Sequence, residues 1–200
     1  MPLLPTLVLL PFVGAFVALC MPGGSRTRPA AAAAIATLAA LLLTIAQFGR
    51  IAGGEVLRMR AAWLPEAGLD LVWRMDGLAW LFSVIVLGIG LLVLVYARYY
   101  MSRDDPLARF FACMLAFMGS MLGVVLSGNL IQLVVFWELT SFTSFLLIGY
   151  WQQRNDARRG ARMALFGGLA IPLGSLAAAA FQFAELPSGF GVALARGLFE

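Results

Sequence analysis

The stretch that decides the fold is Leu130-Ile131-Gln132-Leu133-Val134-Val135-Phe136-Trp137-Glu138-Leu139-Thr140-Ser141-Phe142-Thr143-Ser144-Phe145-Leu146-Leu147-Ile148-Gly149-Tyr150. It is 21 residues long and apolar throughout most of its length, and it holds one acid, at its ninth position. About 20 apolar residues in a row are what a helix needs to cross the hydrocarbon of a bilayer. At 1.5 Å per residue, Glu138 lies about 12 Å into such a span. An ionised carboxylate at that depth costs from about 2.5 to more than 10 kcal/mol. The site must therefore lower that cost by protonation, by water or by a basic partner. Burial favours the neutral acid and a nearby cation favours the carboxylate. A group held between those influences changes charge when its partner moves, which is what a proton-transfer site requires.

Outward from this span the same pattern recurs. Residues 3–21 and 30–48 are apolar runs, separated by Pro22-Gly23-Gly24 and followed at the first break by Arg26 and Arg28. Residues 78–96 and 110–126 are two more, and 163–183 is a weaker run containing Pro172 and three glycines. The chain as a whole is 62% hydrophobic and 12% charged, with a mean hydropathy of +0.93. A water-soluble domain carries roughly 25% charged residues, so lipid is the solvent for most of this chain. The expected fold is all-α, a polytopic bundle of about six transmembrane helices.

Two segments break the pattern. Residues 49–75 carry Arg50, Glu55, Arg58, Arg60, Glu66, Asp70 and Arg74. Within them, 56–64 and 69–75 alternate around Pro65-Glu66-Ala67-Gly68, which reads as a small external β-hairpin or an irregular loop between helices two and three. Asp76 then stands where a helix N-cap belongs, its carboxylate available to the free amides of the next turn.

All 14 basic residues are arginine, and the net charge is +4. They fall in the gaps between apolar runs, as membrane topology demands and nucleic-acid binding does not. No basic region precedes residues 3–21, which argues for an uncleaved first helix rather than an export signal. With the N-terminus outside, nine arginines lie inside and five outside, in keeping with the positive-inside rule. Cys20 and Cys113 make no CxxC pair. With no histidine in the chain, there is no ligand set for a metal or redox cofactor, and no phosphate-binding glycine loop is present. No cofactor and no nucleic acid are expected. Ser141, at i+3 from Glu138, shares its helix face and supports the acid; Thr140 is the second hydroxyl beside it.

The run from Phe136 to Trp151 resembles the fifth-helix motif of the large A-type component of multisubunit monovalent cation/proton antiporters. The related chain-5 component of respiratory complex I is similar at its Trp-Glu start and Leu-Ile-Gly end. Arg74-Met75-Asp76-Gly77-Leu78 resembles the start of that family's third helix, and Tyr96-Ala97-Arg98-Tyr99-Tyr100-Met101 its exit. The resemblance covers roughly 3–166. It implies a subunit that exchanges sodium or another monovalent cation for protons, in a complex with other membrane subunits, in the inner membrane of a bacterial cell. It also implies that Glu138 pairs with a lysine two helices later. This chain contains no lysine, and from about Gly167 its sequence departs from the family pattern. The expected organisation is thus 1–166 as antiporter-like helices and 167–200 as an atypical tail, of the kind a truncation or frameshift near Phe166 produces. Two other readings stand beside the antiporter: a proton-pumping subunit of a complex I or hydrogenase-like assembly, and a non-transporting remnant or scaffold.

Overall fold

A computed structural model describes residues 3–21, 27–64, 69–101, 107–150 and 168. Six helices and one two-stranded sheet occur in the order α1 (Leu3–Cys20), α2 (Thr27–Ile45), α3 (Phe48–Ala52), β1 (Leu57–Leu64), β2 (Leu69–Met75), α4 (Gly77–Tyr100), α5 (Leu107–Val125) and α6 (Leu130–Ile148). Among the described residues, five helical segments are long and apolar enough to cross a membrane, with α2 and α3 together forming one of them, Thr27–Ala52. The shortest, α1, has 18 residues and reaches about 27 Å, close to the ~30 Å of hydrocarbon. The chain is a multi-pass membrane protein. The expected sixth span, 163–183, lies outside the described residues apart from Gly168, as do the Arg-rich loop before it and the tail.

Large apolar side chains cover the outside of the bundle: Leu9, Phe16, Ile35, Leu42, Leu78, Ile89 and Leu92 are all more than half exposed. In water that surface would collapse or aggregate; in lipid it is the solvated face. The buried positions combine alanines with larger side chains such as Leu7, Phe111 and Leu122. α5 packs against α1, α2, α4 and α6, and so stands at the centre of the bundle. Two clusters divide the interior along the helix axes. One gathers Ala15, Ala18, Ala30, Ala33, Leu94, Ala97, Phe111 and Leu115 at one end. The other gathers Leu4, Leu7, Val8, Leu57, Trp73, Met75, Leu122 and Leu126 beneath the sheet. Alanines at the first end let α1 and α2 approach closely, the packing mode available where lipid removes the hydrophobic drive between helices.

Helix ends follow their local chemistry. The Asp76 side chain accepts a hydrogen bond from the Ala79 amide at 2.9 Å, so it caps α4 as its position implied. Arg74 pairs with the same carboxylate at 3.2 Å. Asn129 caps α6, accepting from the Gln132 amide at 2.7 Å. The second span runs further than its hydropathy suggested. After a turn at 46–47, α3 continues it to Ala52. Phe48 packs on Trp80 with ring centroids 5.2 Å apart. The Trp80 indole N–H donates to the Thr44 carbonyl at 2.7 Å, which also accepts from the Gln47 amide at 3.1 Å within the turn.

The expected hairpin forms. β1 and β2 pair antiparallel with Leu57 opposite Met75, Met59 opposite Trp73 and Ala61 opposite Leu71. That inner row lies on the bundle, with Leu57, Trp73 and Met75 buried. The outer row sets Arg58 opposite Arg74 and Arg60 opposite Val72. This is the alternation of a sheet with one wet face; the tip, 65–68, lies outside the described residues.

Candidate functional site

α6 owes its position to two contacts. The first is α5. At Gly123 a side chain would overlap the Phe136 ring, lying only 2.5 Å from its Cε1. Glycine there lets Phe136 lie directly on the α5 backbone, while the other side of the ring meets Trp73 of the hairpin at 5.6 Å between centroids. The second is the hairpin itself. The edge of β2 that β1 leaves unpaired runs along the turn between α5 and α6. The Arg74 amide donates to the Leu126 carbonyl at 2.9 Å, and the Gly128 amide donates to the Val72 carbonyl at 2.7 Å. The Val72 amide donates to Gln132 Oε1 at 2.8 Å. Asn129 Nδ2 donates to the Asp70 carbonyl at 2.6 Å. An exposed strand edge is thereby covered, and the start of α6 is fixed to the element that caps the bundle.

With that end fixed, the turn angle of a helix places the rest. At roughly 100° per residue, Gln132, Phe136, Leu139 and Thr143 form one stripe, and Gln132 and Thr143 are the buried residues of α6. Glu138 stands roughly 120° away from Gln132 around the helix, and Ser141 roughly 180° away, nearly opposite the stripe. The acid therefore projects from a side of α6 that the Gly123 contact does not cover. Neither carboxylate oxygen of Glu138 is accessible, and among the described residues neither has a hydrogen-bond partner. Buried polar atoms are almost always paired, so an acid with both oxygens unmet is an exception that calls for a role.

The two hydroxyls singled out beside it make local bonds. Ser141 Oγ donates to the Trp137 carbonyl at 3.2 Å. Thr140 Oγ1 donates to the same carbonyl at 2.6 Å, from a position roughly 200° around the helix from Glu138. Thr143 bonds back to the Leu139 carbonyl at 2.9 Å. Such back-bonds satisfy a hydroxyl without leaving the helix. Ser141 alone shares the acid's face. Asn129, which caps α6, and Gln132 hold the site's frame through their bonds to β2. An amide three residues after an N-cap Asn in an apolar helix was the available signal; its partner, the Val72 amide, lies 60 positions away in sequence.

Comparison with known proteins agrees with this architecture. Residues 63–111 match the family described as NADH-Ubiquinone oxidoreductase (complex I), chain 5 N-terminus. A probable K(+)/H(+) antiporter protein of the A/B type from Rhizobium meliloti is 53% identical over 176 residues, which is 86% of this chain and 18% of the relative. A Na(+)/H(+) antiporter protein of the A1 type from Staphylococcus aureus is 45% identical over 122 residues, 59% of this chain and 15% of the relative. The chain thus spans less than a fifth of the length of the relatives it matches. Among solved structures, a chain of the Mrp complex from a Dietzia species superposes with a TM-score of 0.74 at 28% identity, over 91% of this chain and 19% of that one. A chain of the membrane-bound sulfane sulfur reductase, an archaeal respiratory membrane complex, superposes with a TM-score of 0.75 at 21% identity, over 92% of this chain and 28% of that one, and so shares the fold.

Proposed function

Starting from this homology with the large A-type components of antiporters, we propose that the chain forms the acid-bearing part of a proton-coupled monovalent-cation antiporter in a bacterial plasma membrane, with other membrane subunits as partners. Glu138 is its proton and ion-pair acid, and Ser141 is the hydroxyl that attends it. The observation that carries the reading is the Glu138 carboxylate, inaccessible and without a hydrogen-bond partner among the described residues, in the interior of a spanning helix. An acid in that state accepts either a proton or a cationic group, and exchange between the two moves charge. The orientation that fits the arginines puts the hairpin outside.

The test is growth on high sodium or potassium by an antiporter-deficient strain that produces this chain with its partner subunits. The wild-type chain is expected to restore tolerance, and Glu138→Gln, which keeps the shape and removes the titration, is expected to abolish it. Tolerance retained by Glu138→Gln would refute the role given to Glu138. No tolerance from the wild type would favour the scaffold reading. The match of 63–111 to the complex I chain 5 family supports a second reading, a proton-pumping subunit of a respiratory complex. Co-purification with redox-active peripheral subunits would select it.

A further inference from the structure

α4 is longer than the hydrocarbon it crosses. Its 24 residues, Gly77–Tyr100, reach about 36 Å, against about 30 Å of hydrocarbon. Its first end is tied to polar groups, since Asp76 caps it and pairs with Arg74, so the surplus falls in the turn that closes on Tyr100. One face of the helix, with Ser83, Leu87, Gly90, Leu94 and Ala97, is buried in the bundle. On the other face an exposed row runs at spacings of four and three residues through Leu78, Phe82, Ile85, Ile89 and Leu92 to Tyr96. The row turns from aliphatic to phenolic about 29 Å from the helix start, where the hydrocarbon ends. Tyr99 and Tyr100 follow, and all three tyrosines are more than half exposed. The Tyr96 and Tyr100 rings stack at 5.1 Å between centroids. The Arg98 guanidinium carbon lies 5.6 Å from the centre of the Tyr99 ring, and Arg98 Nη2 donates to Thr27 Oγ1 at 3.5 Å, at the start of α2.

Two observations say what covers this surface. The row offers only large side chains, whereas helices that dock on one another in lipid do so through small residues. The glycine of α4 that meets a neighbouring helix, Gly90 against Met118 of α5, lies on the buried face. Charge is the second. Arg28 at the start of α2, Arg98 at the end of α4 and Arg109 at the start of α5 share this end of the bundle, and among the described residues no acid stands there. We propose that Tyr96, Tyr99 and Tyr100, with Arg98, form a docking surface for the headgroups of anionic phospholipids at the end of the bundle away from the hairpin, and that this surface holds α4 at its depth in the bilayer. A phenol suits that level, with its ring against the chains and its hydroxyl toward water. The arginine draws the negative phosphate. α4 is then held at both ends, by the Arg74–Asp76 pair at one and by lipid at the other.

The test uses the full chain, with the subunits that co-purify with it, in vesicles of phosphatidylcholine and phosphatidylglycerol in equal parts. Trace phosphatidylglycerol with a photoreactive diazirine in its headgroup reports contact, phosphatidylcholine with the same group is the comparison, and adducts are located by peptide mass. In the wild-type chain the phosphatidylglycerol probe is expected to label 96–100 roughly fivefold more than the phosphatidylcholine probe, the weight of one arginine near an anionic surface. Arg98→Gln is expected to lose that preference and Arg98→Lys to keep it. Leucine at all three tyrosine positions lets α4 sink, so headgroup labelling of 96–100 should fall roughly threefold or more, while a probe with its diazirine in mid-chain labels there more. Tryptophan at all three should keep the wild-type pattern. Should the leucine variant not accumulate in the membrane, Tyr99→Leu alone is measured for the same fall. No lipid adduct at 96–100 in the wild type would mean that protein covers this face and would overturn the proposal. Equal labelling by the two headgroup probes, or a leucine variant labelled like wild type, would overturn it as well.

Discussion

Gly123→Ala sets two opposed effects against each other within one helix. Alanine is favoured over glycine in a helix interior by about 1 kcal/mol, so on propensity alone α5 should gain. Against that, the new methyl group would overlap the Phe136 ring, with Cε1 only 2.5 Å away, where carbon atoms normally sit about 3.5–4.0 Å apart. The ring has little freedom to yield, because its other side meets Trp73, and Trp73 is 5% exposed. Either α6 retreats from α5 by about 1 Å, or Phe136 leaves Trp73. Overpacking of this kind costs about 1–3 kcal/mol, and loss of the aromatic pair adds about 0.5–1.5 kcal/mol. The overlap therefore wins, with a net loss of about 1–3 kcal/mol. For a chain of this size that is a fall of about 3–10 °C in apparent Tm, measured by thermal unfolding of the detergent-solubilised chain. Phe136→Ala on the same background should be much less damaging than the sum of the two single changes, with a coupling of about 1–3 kcal/mol. A Gly123→Ala chain as stable as wild type, or strictly additive single changes, would refute the close contact between α5 and α6.

Two more outcomes follow from the described end of the bundle. Asp76→Ala removes both the cap on the Ala79 amide and the partner of Arg74; a loss of about 0.5–2 kcal/mol is expected from the cap, and Asp76→Asn should restore most of it in the same unfolding measurement. At the turn between α3 and β1, the Arg50 guanidinium bonded to Glu55 holds that carboxyl below its ordinary value of 4.5. The stabilisation is then complete above that ordinary value and is lost as pH falls through the lowered one, so hydrogen exchange at residues 53–56 should quicken only in acid, less so in high salt, and Glu55→Gln should remove the pH dependence.

The parts of this fold that sequence made legible are those governed by neighbours in the chain. The apolar lengths located the five described spans to within a few residues, the alternation around residues 65–68 gave the hairpin, and Asp76 announced the start of α4. Glu138 stands out as a candidate for a different reason: a single charge in a long apolar run conflicts with its own surroundings. What was not legible depends on partners far away in sequence. The apolar run 30–48 put the exit of the second span at Phe48, but the helix goes on to Ala52, with Phe48 packed on Trp80 and Trp80 bonded to Thr44. The clasp between β2 and the α5–α6 turn joins segments about 60 positions apart, and no local propensity encodes that pairing. The place of Ser141 on the acid's face, by contrast, follows from its i+3 spacing alone.

The rotation has a mechanical consequence. A group that changes its charge must tolerate a change of partner, and a change of partner moves atoms. α6 keeps its rigid contacts, Phe136 on Gly123 and Gln132 on Val72, along a stripe that excludes Glu138. Motion on the acid's side therefore need not disturb the packing against α5, and the hydrogen bonds to the hairpin hold the start of the helix still while its middle is acted on. Had the acid stood on the stripe, at Leu139 for instance, the change of charge proposed for it would have been opposed by the close packing of the bundle centre. The role proposed for Glu138 thus fits a helix whose packed face and whose acid-bearing face are separate.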